Sequence, residues 1–312
     1  MKLLVLFQVL FTVISAISFP DYQSLTKKIV DDGFVVLENV GKNYMKALNG
    51  LRKEAPVCLD DSLEVDLDDG TKRFTVARDS SNQTFPVCVD KNTQIILRYF
   101  DKIDNYITDY LQALFGDQLK IVDEGNTLDI EDLPSKTHLH VYSKSVEDNK
   151  KDISDLSLPF HTDNGLYLLL TPSQTSPLQV QHRNGSVEEL LVSDDSIIFL
   201  IGTGLSPWLI PQGLARFYAP PHAVPRMSST RSRTVLARMK VAPVMATNSN
   251  SDLTFGEHFY STLEMAPETS VEERHLERMK RQTHGPNSQH WIGQTTTNKP
   301  TRRQYEKIEK QS

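Results

Sequence analysis

The sequence predicts a mainly β protein with flanking helices, a sandwich or jelly roll braced by a helical N-terminal region. Three observations predict it. Short strand-like runs recur over 138–142, 166–170, 178–181, 197–201, 216–219 and 233–241, at a spacing typical of β-sandwiches and jelly rolls. Turn residues separate them: Thr171-Pro172, Asn184-Gly185, Gly202 with Gly204, and Pro220-Pro221. Before residue 137 the apolar residues instead recur with helical period.

Taken in order, the chain opens with Lys2 and an apolar run over 3–17, in which Ala16 and Ser18 form an A-x-S pattern. This reads as a signal peptide over 1–18, cleaved before Phe19. The run is short for a membrane span, which needs roughly 20 apolar residues; an uncleaved anchor is the alternative, and no later segment is apolar enough to span. The expected location is the secretory pathway, in the ER lumen or outside the cell. Residues 22–32 read as a helix leading into a strand over 33–40, rich in β-formers (Phe34, Val35, Val36, Leu37). A second helix is expected over 43–54. The clearest helix covers 92–115, where Ile95, Tyr99, Ile103, Ile107 and Leu111 recur every fourth residue and Ile96, Phe100, Leu114 and Phe115 widen the stripe. Gly116 stops it. Such a stripe packs against a sheet.

From 137 onward the strands take over, and Asn184-Gly185 gives the strongest hairpin signal. After 266 the composition turns polar. The expected organisation is one domain over 19–265, with its β-core at 137–243, and a polar extension over 266–312 whose end is disordered.

A formal net charge of -6 argues against a general affinity for nucleic acid, which leaves a basic footprint. In a secretory lumen, Asn82-Gln83-Thr84 and Asn184-Gly185-Ser186 are usable glycosylation sequons. Cys58 and Cys88 are the only cysteines. An oxidising compartment favours a disulfide between them over two free thiols.

The chemistry concentrates in three places. His161-Thr162-Asp163 precedes the apolar strand at 166. On an extended backbone, residues two apart point to one side, so an imidazole and a carboxylate project together. These are two-thirds of a facial triad, and a second histidine from a distant strand would complete it while leaving positions open at non-haem Fe(II). His222 lies 61 residues beyond His161, in Pro220-Pro221-His222-Ala223. Beyond it, Arg231 and Arg233 share one strand face with Val235 and Ala237. A guanidinium turned toward a metal calls for a bidentate carboxylate partner; solvated or acid-paired arginines are the alternative. The strand over 137–142 alternates too, with His138, His140 and Tyr142 on one side and Leu139 and Val141 on the other. Its polar face would suit a wet metal cavity or bulk solvent.

These pieces, in this order, resemble the isopenicillin N synthase-like branch of the 2-oxoglutarate/Fe(II)-dependent dioxygenases. Leu139-His140-Val141-Tyr142 looks like the family strand that carries a co-substrate tyrosine. Pro159-Phe160-His161-Thr162-Asp163-Asn164-Gly165 is similar to the H-T-D-x-G metal motif. Pro177-Leu178-Gln179-Val180 resembles G-L-Q-V, and Asp195 to Gly202 resembles an acidic residue, an apolar strand and a glycine. Asp31-Asp32-Gly33-Phe34 looks like the family's N-terminal strand entry. The resemblance implies a double-stranded β-helix core and Fe(II) held by His161, Asp163 and His222. It implies 2-oxoglutarate paired with Arg233, or with its rival Arg231, and assisted by Tyr142. It further implies O2 and an organic substrate as partners, with no catalytic side chain beyond the metal centre. Departures stand at Val235, where the family has Ser, at Pro177 for Gly, and at Ala223 for Arg. Two other readings follow from them: a secreted binding protein on a decayed oxygenase fold, and an iron oxidase that dispenses with 2-oxoglutarate.

Overall fold

Alternation along each strand decides which face packs against apolar neighbours and which looks elsewhere. The structure, a computed structural model, describes residues 17, 19–59, 64–67, 69–79, 85–116, 119–144, 155–173, 177–210, 217–227, 232–248 and 251–258. The chain begins with α1 (Tyr22–Asp31), β1 (Phe34–Leu37), α2 (Lys42–Cys58), β2 (Glu64–Asp66), β3 (Thr71–Asp79) and the long α3 (Val87–Phe115). A hairpin of β4 (Lys120–Asp123) and β5 (Asn126–Asp129) leads to β6 (Ser135–Lys144), β7 (Leu156–His161), β8 (Tyr167–Leu170), β9 (Leu178–Gln181) and β10 (Val187–Leu190). Next come β11 (Ile197–Ile201), β12 (His222–Pro225), β13 (Arg233–Lys240), β14 (Ala246–Asn248) and β15 (Ser251–Thr254).

The strands form a seven-stranded sheet ordered β1-β11-β8-β13-β6-β3-β2, a four-stranded sheet ordered β10-β9-β12-β7, and a third ordered β15-β14-β4-β5. From β6 to β13 the chain winds between the first two sheets, which makes the core a double-stranded β-helix. Contacts cross from one sheet to the other: Thr71 Oγ1 lies 3.2 Å from Ser157 Oγ, joining β3 to β7.

The outer face of the large sheet is apolar. Val76, Leu139, Val141, Leu169, Phe199 and Leu236 share one core with Tyr44, Leu48 and Leu51 of α2 and with Ile96, Phe100, Ile103 and Ile107 of α3. Polar ties lock this layer, as Tyr44 donates to Ser196 O at 2.9 Å and Tyr167 to Asp104 Oδ1 at 3.0 Å. Arg238 projects toward α3, pairing with Asp101 at 2.5 Å and approaching Asp104 at 3.9 Å. Gly33 joins α1 to β1 at φ 74°, where a Cβ would overlap Tyr218 O; only glycine fits there.

Several expectations need correction. The region before 137 holds more strand than the one expected over 33–40, because β2 and β3 extend the large sheet beside β6. Their charged residues (Lys72, Arg73, Arg78) hide an alternation carried by Phe74 and Val76. Helix α2 runs past Glu54 to Cys58; Pro56 costs it one hydrogen bond in the last turn without ending it. Helix α3 starts at Val87, and its buried stripe is rotated, with Leu97 and Tyr110 inside, Ile95 and Tyr99 half-buried, and Leu114 exposed. Residues 217–219 form no strand. A disulfide does join Cys58 to Cys88, tying the end of α2 to the start of α3. The signal segment over 1–16, Asn82, Arg231 and the extension beyond 258 lie outside the described residues.

Candidate metal centre and the buried arginine facing it

His161 is the last residue of β7, and His222 is the first of β12. The two pair directly across the strands, so their side chains leave the same face of the small sheet. Their ring centroids stand 4.5 Å apart. His161 precedes the strand near 166, as expected, but it is itself the end of β7, a strand the sequence reading missed.

Both rings are oriented by the same local device. Nδ1 of His161 lies 2.9 Å from Pro159 O, and Nδ1 of His222 lies 3.2 Å from Pro220 O. A carbonyl oxygen can only accept, so each Nδ1 donates its proton, and each Nε2 is the ring nitrogen left to face the cluster. This is the usual outer support of a metal-ligating histidine.

Asp163 sits in the loop between β7 and β8, and its backbone is clamped from β11. Thr203 N donates to Asp163 O at 2.8 Å and Gly204 N to Gly165 O at 3.0 Å. Gly202 packs so tightly there that a Cβ would overlap Gly165 O. Ligand atoms of His161, Asp163 and His222 all lie within 4.8 Å of one another.

Asp163 Oδ2 is buried without a hydrogen-bond partner, although His222 Nε2 is 3.4 Å away. The two facts agree on geometry. The approach is close but misaligned for a hydrogen bond, as expected when both atoms aim at a shared third partner. Burial lowers the His222 pKa below its ordinary value and His161 adds to this, while Asp163 opposes it. Two imidazoles with one carboxylate are the donor set that suits a divalent transition metal with open positions.

Across the barrel, β13 and β6 pair Arg233 with Tyr142. The Arg233 guanidinium lies 5.6 Å from the Tyr142 ring centroid. Arg233 is only 3% exposed, and its Nε and Nη1 have no hydrogen-bond partner. Burial lowers its pKa, with Tyr142 opposing. No carboxylate among the described residues forms a salt bridge with it. The next inward residue is Val235, opposite His140, whose Nδ1 lies 2.9 Å from Thr75 Oγ1. Leu139 and Val141 pack in the helical core and Tyr142 is buried, so the polar face of β6 turns inward and not to solvent.

Sequence reading missed Arg73. It stands opposite Tyr142 on β3, and the only signal for it was the alternation of a strand disguised by charge.

No family model and no curated protein matches the sequence. Among solved structures, the chain is similar to an oxygenase candidate of Shewanella oneidensis, with TM-score 0.56 and 15% identity over 79% of this chain and 95% of that one. It is similar to JOX2, solved with 2OG, Fe and JA, with TM-score 0.55 and 12% identity over 82% and 92%. The rice dioxygenase for auxin oxidation follows with TM-score 0.53 and 13% identity over 78% and 89%. At such identities the likeness is one of fold.

Proposed function

We propose that the protein is a non-haem Fe(II)- and 2-oxoglutarate-dependent dioxygenase. One juxtaposition carries this reading: a His161–Asp163–His222 cluster on the small sheet and an orphaned, buried Arg233 on the inward face of the large one. His161 and His222 would hold iron through Nε2 and Asp163 through its unpartnered carboxylate oxygen. Arg233 would pair with the distal carboxylate of 2-oxoglutarate, with Tyr142 beside it. When bound, iron and its co-substrate supply the oxidation: 2-oxoglutarate and O2 become succinate and CO2 as one oxygen atom enters a substrate C–H bond. The protein's own work is orientation, with both histidine rings held through Nδ1, and a buried cation that selects a dicarboxylate. The fold of the similar oxygenases supports the reading.

Anaerobic addition of Fe(II) and 2-oxoglutarate to the full protein tests it. A visible charge-transfer band should appear only with both present, and His222→Ala should lose both the band and iron uptake. Val235, standing where such enzymes resemble one another in carrying Ser, favours the second reading of a binding protein. Iron uptake without any band at high 2-oxoglutarate would decide for that reading.

The secretory location belongs to the same proposal. It is supported by the Cys58–Cys88 disulfide and by Asn184, which is exposed at the tip of the β9–β10 hairpin. Phe19, the first residue after the expected cleavage, stacks on Tyr106 at 4.1 Å; cleavage would also remove Ile17, which is buried. Secreted from eukaryotic cells, the protein should begin at Phe19 and carry glycan on Asn184. Recovery of an unglycosylated chain that keeps Met1 would overturn this.

A further inference from the structure

The inward face of the large sheet carries a second buried guanidinium that the proposed chemistry leaves unused. Arg73 on β3 and Arg233 on β13 both stand directly opposite Tyr142 on β6. Directly paired residues share a face, so the three side chains make one rung: Arg73, Tyr142, Arg233. That face looks across the barrel, because Thr71, two residues before Arg73, contacts Ser157 of β7 at 3.2 Å.

Arg73 is 8% exposed, and its Nε has no hydrogen-bond partner. The buried carboxylate of the same hairpin does not serve it. Asp69 is occupied by Thr71 N at 2.9 Å, Thr71 Oγ1 at 2.8 Å and Ser157 Oγ at 2.6 Å. Asp69 and Arg73 form no salt bridge among the described residues. An unpartnered nitrogen on a buried guanidinium is costly, and the partner that best fits a guanidinium fork is a carboxylate.

One bound 2-oxoglutarate offers one distal carboxylate. With neighbouring strands about 4.8 Å apart, the backbones of Arg73 and Arg233 are separated by roughly 10 Å, with Tyr142 between them. Arg233 lies on the strand beside β8, whose entry loop holds Asp163, whereas Arg73 lies two strands farther toward the β2 edge. We infer that Arg73 recognises a carboxylate on the organic substrate, which makes small organic acids the substrate class. Naming that ligand the substrate rests on the oxygenase reading; the anion site itself does not.

The test uses the full protein and two matched pairs of probes, phenylacetate against phenylacetamide and hexanoate against hexanamide. Without metal or 2-oxoglutarate, at least one acid should raise the unfolding temperature more than its amide does. Arg73→Gln should weaken that acid at least tenfold. Arg73→Lys, which keeps the charge, should retain the preference for acid over amide. Arg233→Leu should leave the Arg73-dependent effect in place.

In the loaded protein, Arg73→Gln should change the 2-oxoglutarate concentration that half-saturates the charge-transfer band by less than twofold. Acids and amides that behave alike would overturn the inference. So would a tenfold rise in the 2-oxoglutarate requirement of Arg73→Gln, which would move Arg73 into the co-substrate site. If wild type gives no band while the Arg73-dependent acid effect persists, the oxygenase reading fails and the anion site stands.

Discussion

Arg233 shows how one side chain can be a liability for the fold and an asset for the site. It is almost fully buried, and two of its nitrogens donate to nothing. Leaving a charge unpaired in the interior costs more than a well-packed apolar residue would. Arg233→Leu should therefore raise the unfolding temperature of the metal-free protein. In the iron-loaded protein the same variant should need at least ten times more 2-oxoglutarate to form the charge-transfer band, because losing a buried charge partner costs roughly 2–5 kcal/mol, while iron affinity changes little. A variant that melts lower and still saturates at the wild-type concentration would remove Arg233 from the co-substrate pocket. At this scale the sequence was informative wherever two residues with unmistakable chemistry sat two apart. His161 and Asp163 could be read that way, and His222 became legible once a third ligand was sought. The prolines whose carbonyls orient both rings carried no signal, since their role depends on backbone geometry at Pro159 and Pro220. Arg73 was illegible for the opposite reason: charge is usually a mark of the surface.

At the level of elements, two junctions matter to the site, and each makes a separate claim. The first is the seam where the Asp163 loop rests on the end of β11. Because a Cβ at Gly202 would overlap Gly165 O, Gly202→Ala should push the loop away and break the Thr203–Asp163 hydrogen bond. Overpacking of this kind costs about 1–3 kcal/mol, and here iron affinity should fall with it. Unchanged iron binding in a destabilised Gly202→Ala protein would mean the seam is structural only. The second junction is His182, which bridges Asp32 after α1, at 3.0 Å, and Glu188 of β10, at 2.9 Å. Burial opposes its protonation, but the hydrogen bonds to Asp32 and Glu188 outweigh that and raise its pKa above the ordinary 6.5. A raised folded value stabilises the fold fully below the unfolded pKa and loses that effect as pH climbs through the folded value. The stability gap between wild type and His182→Gln should therefore be widest below the ordinary imidazole pKa of 6.5 and shrink as pH rises past the raised folded value. A gap that stays constant with pH would refute the charged bridge. Elements with a plain apolar pattern, the alternating β9, the continuous apolar run of β11 and the helical stripe of α3, were visible in the sequence. Strands β7 and β12 were not, because prolines and polar ligands interrupt the alternation that would have revealed them.

On the scale of the whole molecule, the large sheet separates two tasks. Its outer face packs against α2 and α3 in one apolar core, and its inner face carries Arg73, Tyr142 and Arg233 toward the small sheet. The strand count and turn chemistry made the barrel legible, whereas the enlargement of the sheet by β2 and β3 depended on long-range pairing that no local pattern records. This separation leads to a prediction about the disulfide. Cys58 and Cys88 are 30 residues apart in sequence and join the end of α2 to the start of α3, in the helical layer on the far side of the sheet from the metal ligands. A cross-link of this kind restricts the unfolded chain, and its loss typically costs 2–4 kcal/mol. The double variant Cys58→Ser with Cys88→Ser should accordingly unfold at lower denaturant concentration, with a changed dependence on denaturant because its unfolded state is freer to expand. Iron affinity and the charge-transfer band of the folded fraction should match wild type, since the histidine ligands belong to the small sheet and the helices pack on the outer face of the large one. Chemical unfolding with and without Fe(II) separates the two effects. If removing the disulfide weakens iron binding under conditions where the protein remains folded, the helical layer sets the spacing of the two sheets, and the division of labour between the two faces of the large sheet is wrong.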